Sequence, residues 1–323
     1  MNWIPQALDF LSENVGPGYV PGGAGATEPT ALSALALSAH GRDLDAANQL
    51  QALTKWQAPD GSLGVTETES QPQWPTALAV IAWNGSSVDS TAYRENSQRA
   101  VRWMLQQRGE IIPPRQGNIG HDTTLVGWPW VAGTHSWLEP TAYALLALKS
   151  AGQSQHLRAR EAARLLTDRL LPEGGCNYGN TFVLGQQLRP HVQPTGLVMI
   201  ALAGETTVDP RVRRSLDFLQ REAPLQHSAA SLAYATLGLA AHGRAQANTS
   251  AKTDTVKARS RNNDQPSFAT QMSDLAERAL GDGNVQRLAL LLLAVEGGAA
   301  PLIPTLAVDV LPDATPSNQE QHA

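Results

Sequence analysis

The 323-residue chain has a single cysteine, which excludes an internal disulfide framework and a cysteine-rich zinc site and fits a reducing compartment. Charge is also scarce. Charged residues make up 16 % of the chain, the net charge is −5, and no basic stripe is present, so nucleic acid is not expected as a partner. The longest apolar run, LALLLLAV from Leu288 to Val295, falls far short of the roughly 20 residues needed to cross a bilayer. Alternating apolar and polar runs bounded by turns, the mark of strands, are almost absent. The opening MNWIPQALDFLSEN has no basic segment ahead of an apolar core, so no secretory signal is expected, and the default is a soluble, cytoplasmic protein.

What the sequence does have is repetition. PTALSALAL from Pro29, PTALAVIAW from Pro75, PTAYALLAL from Pro140 and PTGLVMIAL from Pro194 are near copies of one another. Two weaker copies follow: SLAYATLGLAAHG from Ser231, which shares its closing Ala-His-Gly with the first copy, and VQRLALLLLAVEG from Val285. The starts are 46, 65, 54, 37 and 54 residues apart, so the unit keeps its kind while its loops vary. Pro or a polar residue at each start suits the first helical position. Gly41, Gly85, Gly152, Gly204, Gly243 and Gly297 stand where a helix-ending C′ residue belongs. Between these signals each run is apolar nearly all round, as a fully buried helix is.

The intervening segments carry one apolar face each: Ala46/Leu50/Leu53, Val101/Met104/Leu105, Ala163/Leu166/Leu170, Val212/Leu216/Leu219 and Met272/Leu275/Ala276/Ala279. Such stripes mark amphipathic helices with one side in water. The first segment, Ile4/Leu8/Leu11, has the same pattern and lacks a partner, and the sixth buried helix lacks an outer one. Pairing the first helix with the last therefore predicts an all-α fold, an α/α toroid or (α/α)6 barrel with six parallel inner and six outer helices. A single domain over 1–311 is expected. The polar, aperiodic stretch at about 245–267 reads as a disordered insertion and 312–323 as a disordered tail.

The Pro-Thr-Ala-x-x-x-x-Ala-Leu unit, the amphipathic helix and the Gly-rich turns QAPDGSLG (Gln57–Gly64) and PEGGCNYG (Pro172–Gly179) resemble the prenyltransferase and squalene-cyclase repeat. Squalene–hopene cyclases, plant diterpene cyclases and protein prenyltransferase β subunits carry it, and the resemblance covers roughly Trp3 to Gly298. It implies the toroid and, as an activity, protonation or cyclisation of an isoprenoid. The class II cyclases place Asp-x-Asp-Asp-Thr at an inner-helix start, with the middle Asp as proton donor. Aligned on the Thr, that slot is Glu139 in WLEPT and Glu28 in ATEPT, with Trp137 and Pro140, or Ala26 and Pro29, where the flanking acids would be. The Asp-x-Cys zinc ligand of the protein prenyltransferases and the Gly-Cys-Gly-Glu-Gln thioester of complement-type proteins are both missing. No metal and no cofactor are expected.

Parallel inner helices would gather six N-termini at one end, where polar or anionic groups are favoured. The residues expected at that mouth are Glu28, Trp74, His135, Trp137, Glu139, His191, Gln193 and His227, with His121, Asp122, Trp128 and Trp130 on the long loop that precedes Trp137. The catalytic candidates are Glu139 and Glu28; the others are candidates for binding substrate, the aromatic faces suiting a carbocation or an apolar isoprenoid. Against catalysis stands a plainer role for both Glu, that of complementing helix dipoles, which lowers a carboxyl pKa unless desolvation reverses the shift. Two other functions compete: a non-catalytic toroid that binds a lipid or a partner protein, and a carbohydrate-active (α/α)6 enzyme, which requires Glu139 and Asp122 to share a cleft.

Overall fold

The structure is a computed structural model and describes residues 3–87, 91–111, 113, 119–205, 209–243, 267–297 and 300–302. Within them the chain is all-α, apart from one hairpin of two-residue strands, β1 (Phe182–Val183) and β2 (Gln186–Gln187). Almost all of the expected insertion and all of the expected tail lie outside the described residues; Ser267 is described, as the cap of a helix.

Six helices are buried nearly all round: α2 (Thr27–Ala39), α4 (Thr76–Gly85), α6 (Leu138–Ser150), α8 (Val192–Leu202), α10 (Ala229–Ala241) and α12 (Val285–Glu296). Six more bury one face: α1 (Trp3–Glu13), α3 (Asp43–Trp56), α5 (Arg94–Gln106), α7 (Leu157–Asp168), α9 (Pro210–Glu222) and α11 (Phe268–Gly281). The buried helices touch in the order α2, α4, α6, α8, α10, α12, and α12 touches α2 again. The half-exposed helices α3, α5, α7 and α9 each touch the two buried helices that flank them in sequence, while α1 touches α12, α2 and α11. Each leucine withdrawn from water in this core contributes on the order of 2 kcal/mol before chain entropy is set against it.

The repeated Pro-Thr has a local cause. Proline sits third in α2, α6 and α8 rather than first as expected, still within the turn whose N–H groups have no helical partner. The threonine after it binds the loop that leads in. Thr76 Oγ1 accepts from Leu63 N at 2.9 Å, Thr141 Oγ1 from Trp128 N at 3.0 Å, and Thr195 Oγ1 from Cys176 N at 3.0 Å. The Gly-rich turns close against the next outer helix. Gly61 (φ +98°) and Gly174 (φ +95°) lie so near the backbone of Arg99 and Arg214 that a Cβ would sit 2.5 Å from Arg99 O or 2.4 Å from Arg214 C. No side chain fits there, and the positive φ excludes one independently.

At the other end of the buried helices, Gly41, Gly152, Gly204, Gly243 and Gly297 take positive φ as expected of C′ residues. Gly85 does not; it is the last residue of α4, packed between Pro301 and Leu35. Basic side chains at this end reach the carbonyls of neighbouring helices. His40 Nε2 lies 3.3 Å from Leu292 O, His242 Nε2 2.9 Å from Met199 O, and Lys149 Nζ donates to Ala201 O and Ala203 O at 2.8 and 2.9 Å. The two Ala-His-Gly copies thus do the same job, pairing terminal carbonyls with a group suited to a helix C-terminus.

Candidate functional site

Glu28 and Glu139 are the second residues of α2 and α6, inside the first turn rather than ahead of it, and each is only 9 % exposed. The same register recurs in every buried helix. The residue before the Pro is Glu28, Trp74, Glu139 and Gln193 in turn, and Ala230 and Gln286 are, like Glu28 and Glu139, the second residues of their helices. These slots meet. Gln193 Nε2 is 3.4 Å from Glu139 Oε1, Gln286 donates to Glu28, and the Glu28 carboxylate lies within electrostatic reach of Glu139. Tyr19 adds its hydroxyl, 3.1 Å from Glu28 Oε2.

One helical turn inward, four residues after Glu139 and Ala230, stand Tyr143 and Tyr234. Their hydroxyls are 2.7 Å apart, both rings are buried, and both feel the charge of Glu28 and Glu139. Trp74 stacks on Tyr143 with ring centroids 5.8 Å apart, and Trp130 meets Trp74 edge-on at 4.8 Å. The result is a polar hub, floored by two tyrosines and walled on one side by indole. Tyr143, Tyr234, Tyr19 and Gln286 had not been singled out from the sequence. Extending the pre-proline register to the sixth copy gives Asn284 and misses Gln286 by two residues, whereas stepping one turn along the helix from Glu139 and Ala230 reaches both tyrosines.

Burial dominates the electrostatics of this hub. It pushes Glu28 and Glu139 up to about 7, opposed at Glu28 by the Tyr19 and Gln286 hydrogen bonds and at Glu139 by Gln193. The charge of Glu139 raises Glu28 further. Burial therefore acts against the helix N-terminus, which by itself would favour a low carboxyl pKa. Burial thus favours the protonated form of both carboxyls, as a proton donor requires.

The remaining candidates divide among other places. Trp128 is a packing anchor: its Nε1 donates to Met104 O at 2.9 Å, and the buried Arg158 guanidinium covers its ring at 4.1 Å. Trp74, Trp128 and Trp130 also border a cleft with Trp103, Gln73 and Gln107, whose cavity of about 30 Å³ holds about two waters. His121 and His135 lie near Arg169, and His135 stacks against Trp137 at 4.6 Å. His191 precedes α8 with its ring 5.0 Å from Tyr178, and His227 is exposed ahead of α10. Asp122 is exposed, and its carboxylate caps its own turn, accepting from Thr124 N and Thr124 Oγ1 at 2.9 and 2.6 Å.

Cys176 is fully buried, its Sγ 3.6 Å from Thr195 Oγ1, and burial pushes the thiol up to about 12, so it is no nucleophile. Among the described residues no group of three or more His, Cys, Asp and Glu side chains is arranged to hold a metal, and no helix is long and apolar enough to cross a membrane. No known family model matches the chain, and no curated protein is significantly similar to it.

Proposed function

We propose that the chain is an α/α toroid of the prenyltransferase and squalene-cyclase kind, and that Glu139, supported by Glu28, donates a proton to an isoprenoid alkene at its polar hub. What supports the toroid is the circuit of contacts that returns from α12 to α2, with α1 bridging the junction. What carries the activity is one arrangement: two buried carboxyls within electrostatic reach of each other, one turn above a tyrosine pair on which Trp74 stacks. In the step itself the O–H bond of Glu139 breaks as a C–H bond forms at the alkene. A carbocation is left beside the Trp74 face, and the new carboxylate is stabilised by Gln193 and the α6 N-terminus. Incubation with squalene and with prenyl diphosphates, followed by mass spectrometry, tests this. Product formed by the wild type and lost in Glu139→Gln supports it; no turnover, or turnover indifferent to Glu139→Gln, removes it.

One observation favours a second reading, a non-catalytic toroid that binds a lipid or a partner protein at its mouth and not within the hub. Tyr143, Tyr234 and Trp74 fill the space beneath the acids, and the neighbouring cleft holds only water-sized volume. Native mass spectrometry that finds a stoichiometric, unconverted lipid would favour this reading over catalysis.

A further inference from the structure

Nine buried side-chain atoms lack a hydrogen-bond partner among the described residues, and four of them, His121 Nδ1, Thr123 Oγ1, Arg169 Nε and Thr181 Oγ1, belong to one region; the others are scattered indole and guanidinium nitrogens. The four belong to segments that pack together. A side chain at Gly120 would come within 3.0 Å of Thr181 Oγ1, Ile119 bridges Val183, and Asp122 N donates to Asp168 Oδ2 at 2.9 Å. The loop that carries His121 and Thr123 is thus pinned between the β1–β2 hairpin and the end of α7. Arg169, Thr181 and Thr123 are only 4, 6 and 9 % exposed. Polar groups removed from water without partners cost about 1–3 kcal/mol each, so a cluster of them calls for something that satisfies them together.

The local charge says what. Arg169 donates to Gly179 O, and its Nε stands 3.6 Å from the Asp168 carboxylate, beyond hydrogen-bond length. Asp122 faces its own turn, Arg164 and Arg169. After burial, the charges acting on His121 are Arg169, then His135, and last Asp122; on His135 the acting charge is Arg169. Both imidazoles therefore feel the positive charge of Arg169, which Asp168 pairs at 3.6 Å and Asp122 offsets in part. Burial and Arg169 together lower His121 to about 4.

We propose that Arg169, the Thr123 and Thr181 hydroxyls and the His121 imidazole form a binding site for a small oxyanion, a phosphate or carboxylate group. Such a ligand accepts several hydrogen bonds at once. It also favours the protonated form of His121, so binding and protonation are linked.

Histidine-ring NMR titration of the full chain tests this with inorganic phosphate, acetate or chloride at equal ionic strength. The His121 midpoint is expected to rise by at least one pH unit with phosphate or acetate and to stay in place with chloride; whichever oxyanion acts names the group. The Thr123→Val/Thr181→Val variant is expected to bind at least tenfold more weakly. If both oxyanions leave His121 where chloride does, the cluster is filled by ordered water and the proposal falls. It falls equally if the double-valine variant folds and binds the oxyanion as tightly as the wild type. Should that variant not fold, the wild-type His121 shift still decides.

Discussion

The tyrosine pair at the floor of the hub offers a quantitative test of how the buried helices meet. Tyr143 is on α6 and Tyr234 on α10, with α8 between them in the contact order, so their 2.7 Å hydroxyl contact joins helices that are not successive. Removing one hydroxyl leaves the other buried without its partner, at a cost of about 1–3 kcal/mol. Removing both replaces a polar pair by two rings of the same shape, a change expected to be nearly neutral. Tyr143→Phe and Tyr234→Phe should each destabilise by about 2 kcal/mol, and the double variant by less than either. With a urea dependence of about 3 kcal/mol per molar, each single loss moves the unfolding midpoint by roughly 0.7 M. Far-ultraviolet circular dichroism at pH 5.5, where both glutamates are almost wholly neutral, keeps their charge out of the cycle. Additive losses, with the double variant about twice as damaged as either single one, would refute the contact.

Other consequences follow from the same geometry. Because burial raises the folded pKa of Glu28 and Glu139 from 4.5 to about 7, the folded state binds more protons between those values. Their contribution to stability is therefore complete below about pH 4.5, falls as pH rises and is gone above about 7. The loss amounts to about 3 kcal/mol per carboxyl. Glu28→Gln/Glu139→Gln should flatten that slope in urea unfolding across pH 4.5–8; a wild-type slope that survives the double replacement contradicts the assignment. Gly61→Ala and Gly174→Ala, which force a Cβ against the Arg99 and Arg214 backbone, should each cost about 3 kcal/mol or more, whereas Gly41→Ala, with open space at φ +72°, should cost about 1 kcal/mol. Differential scanning fluorimetry distinguishes them, and equal effects would refute the close approach. Arg158→Met strips partners from the carbonyls of Val126, Gly127 and Gln107 and uncovers Trp128, so a loss of about 3 kcal/mol and a shift in tryptophan fluorescence are expected; an unchanged melting temperature would be the wrong answer.

The helices were legible because each buried run is apolar all round and is closed by glycine, and because each outer run shows a single stripe. These patterns record how many sides of a helix are dry. Glu28, Trp74, Glu139 and Gln193 were legible as one register, since the proline after each marks it. Gln286 was not, because the sixth copy has no proline to align on. Tyr143 and Tyr234 vanished into apolar runs, where a hydroxyl is invisible until its partner on another helix is known. Trp128 and Asp122 were assigned to the mouth from their place on the long loop, which says where a backbone lies and not where a side chain turns. Trp128 turns to Met104 and Arg158, and Asp122 to Thr124. The unpartnered cluster around Arg169 depends on three loops closing on one another, a matter of tertiary packing with no local signature.

Carbon-13 titration of the side-chain carboxyls of Glu28 and Glu139 tests most directly whether the two acids converge at a dry hub. Both midpoints should lie near 7, and replacing Glu139 by Gln should lower that of Glu28, whose carboxyl then no longer faces a second negative charge. Two independent titrations near 4.5, with Glu28 unmoved by Glu139→Gln, would contradict it.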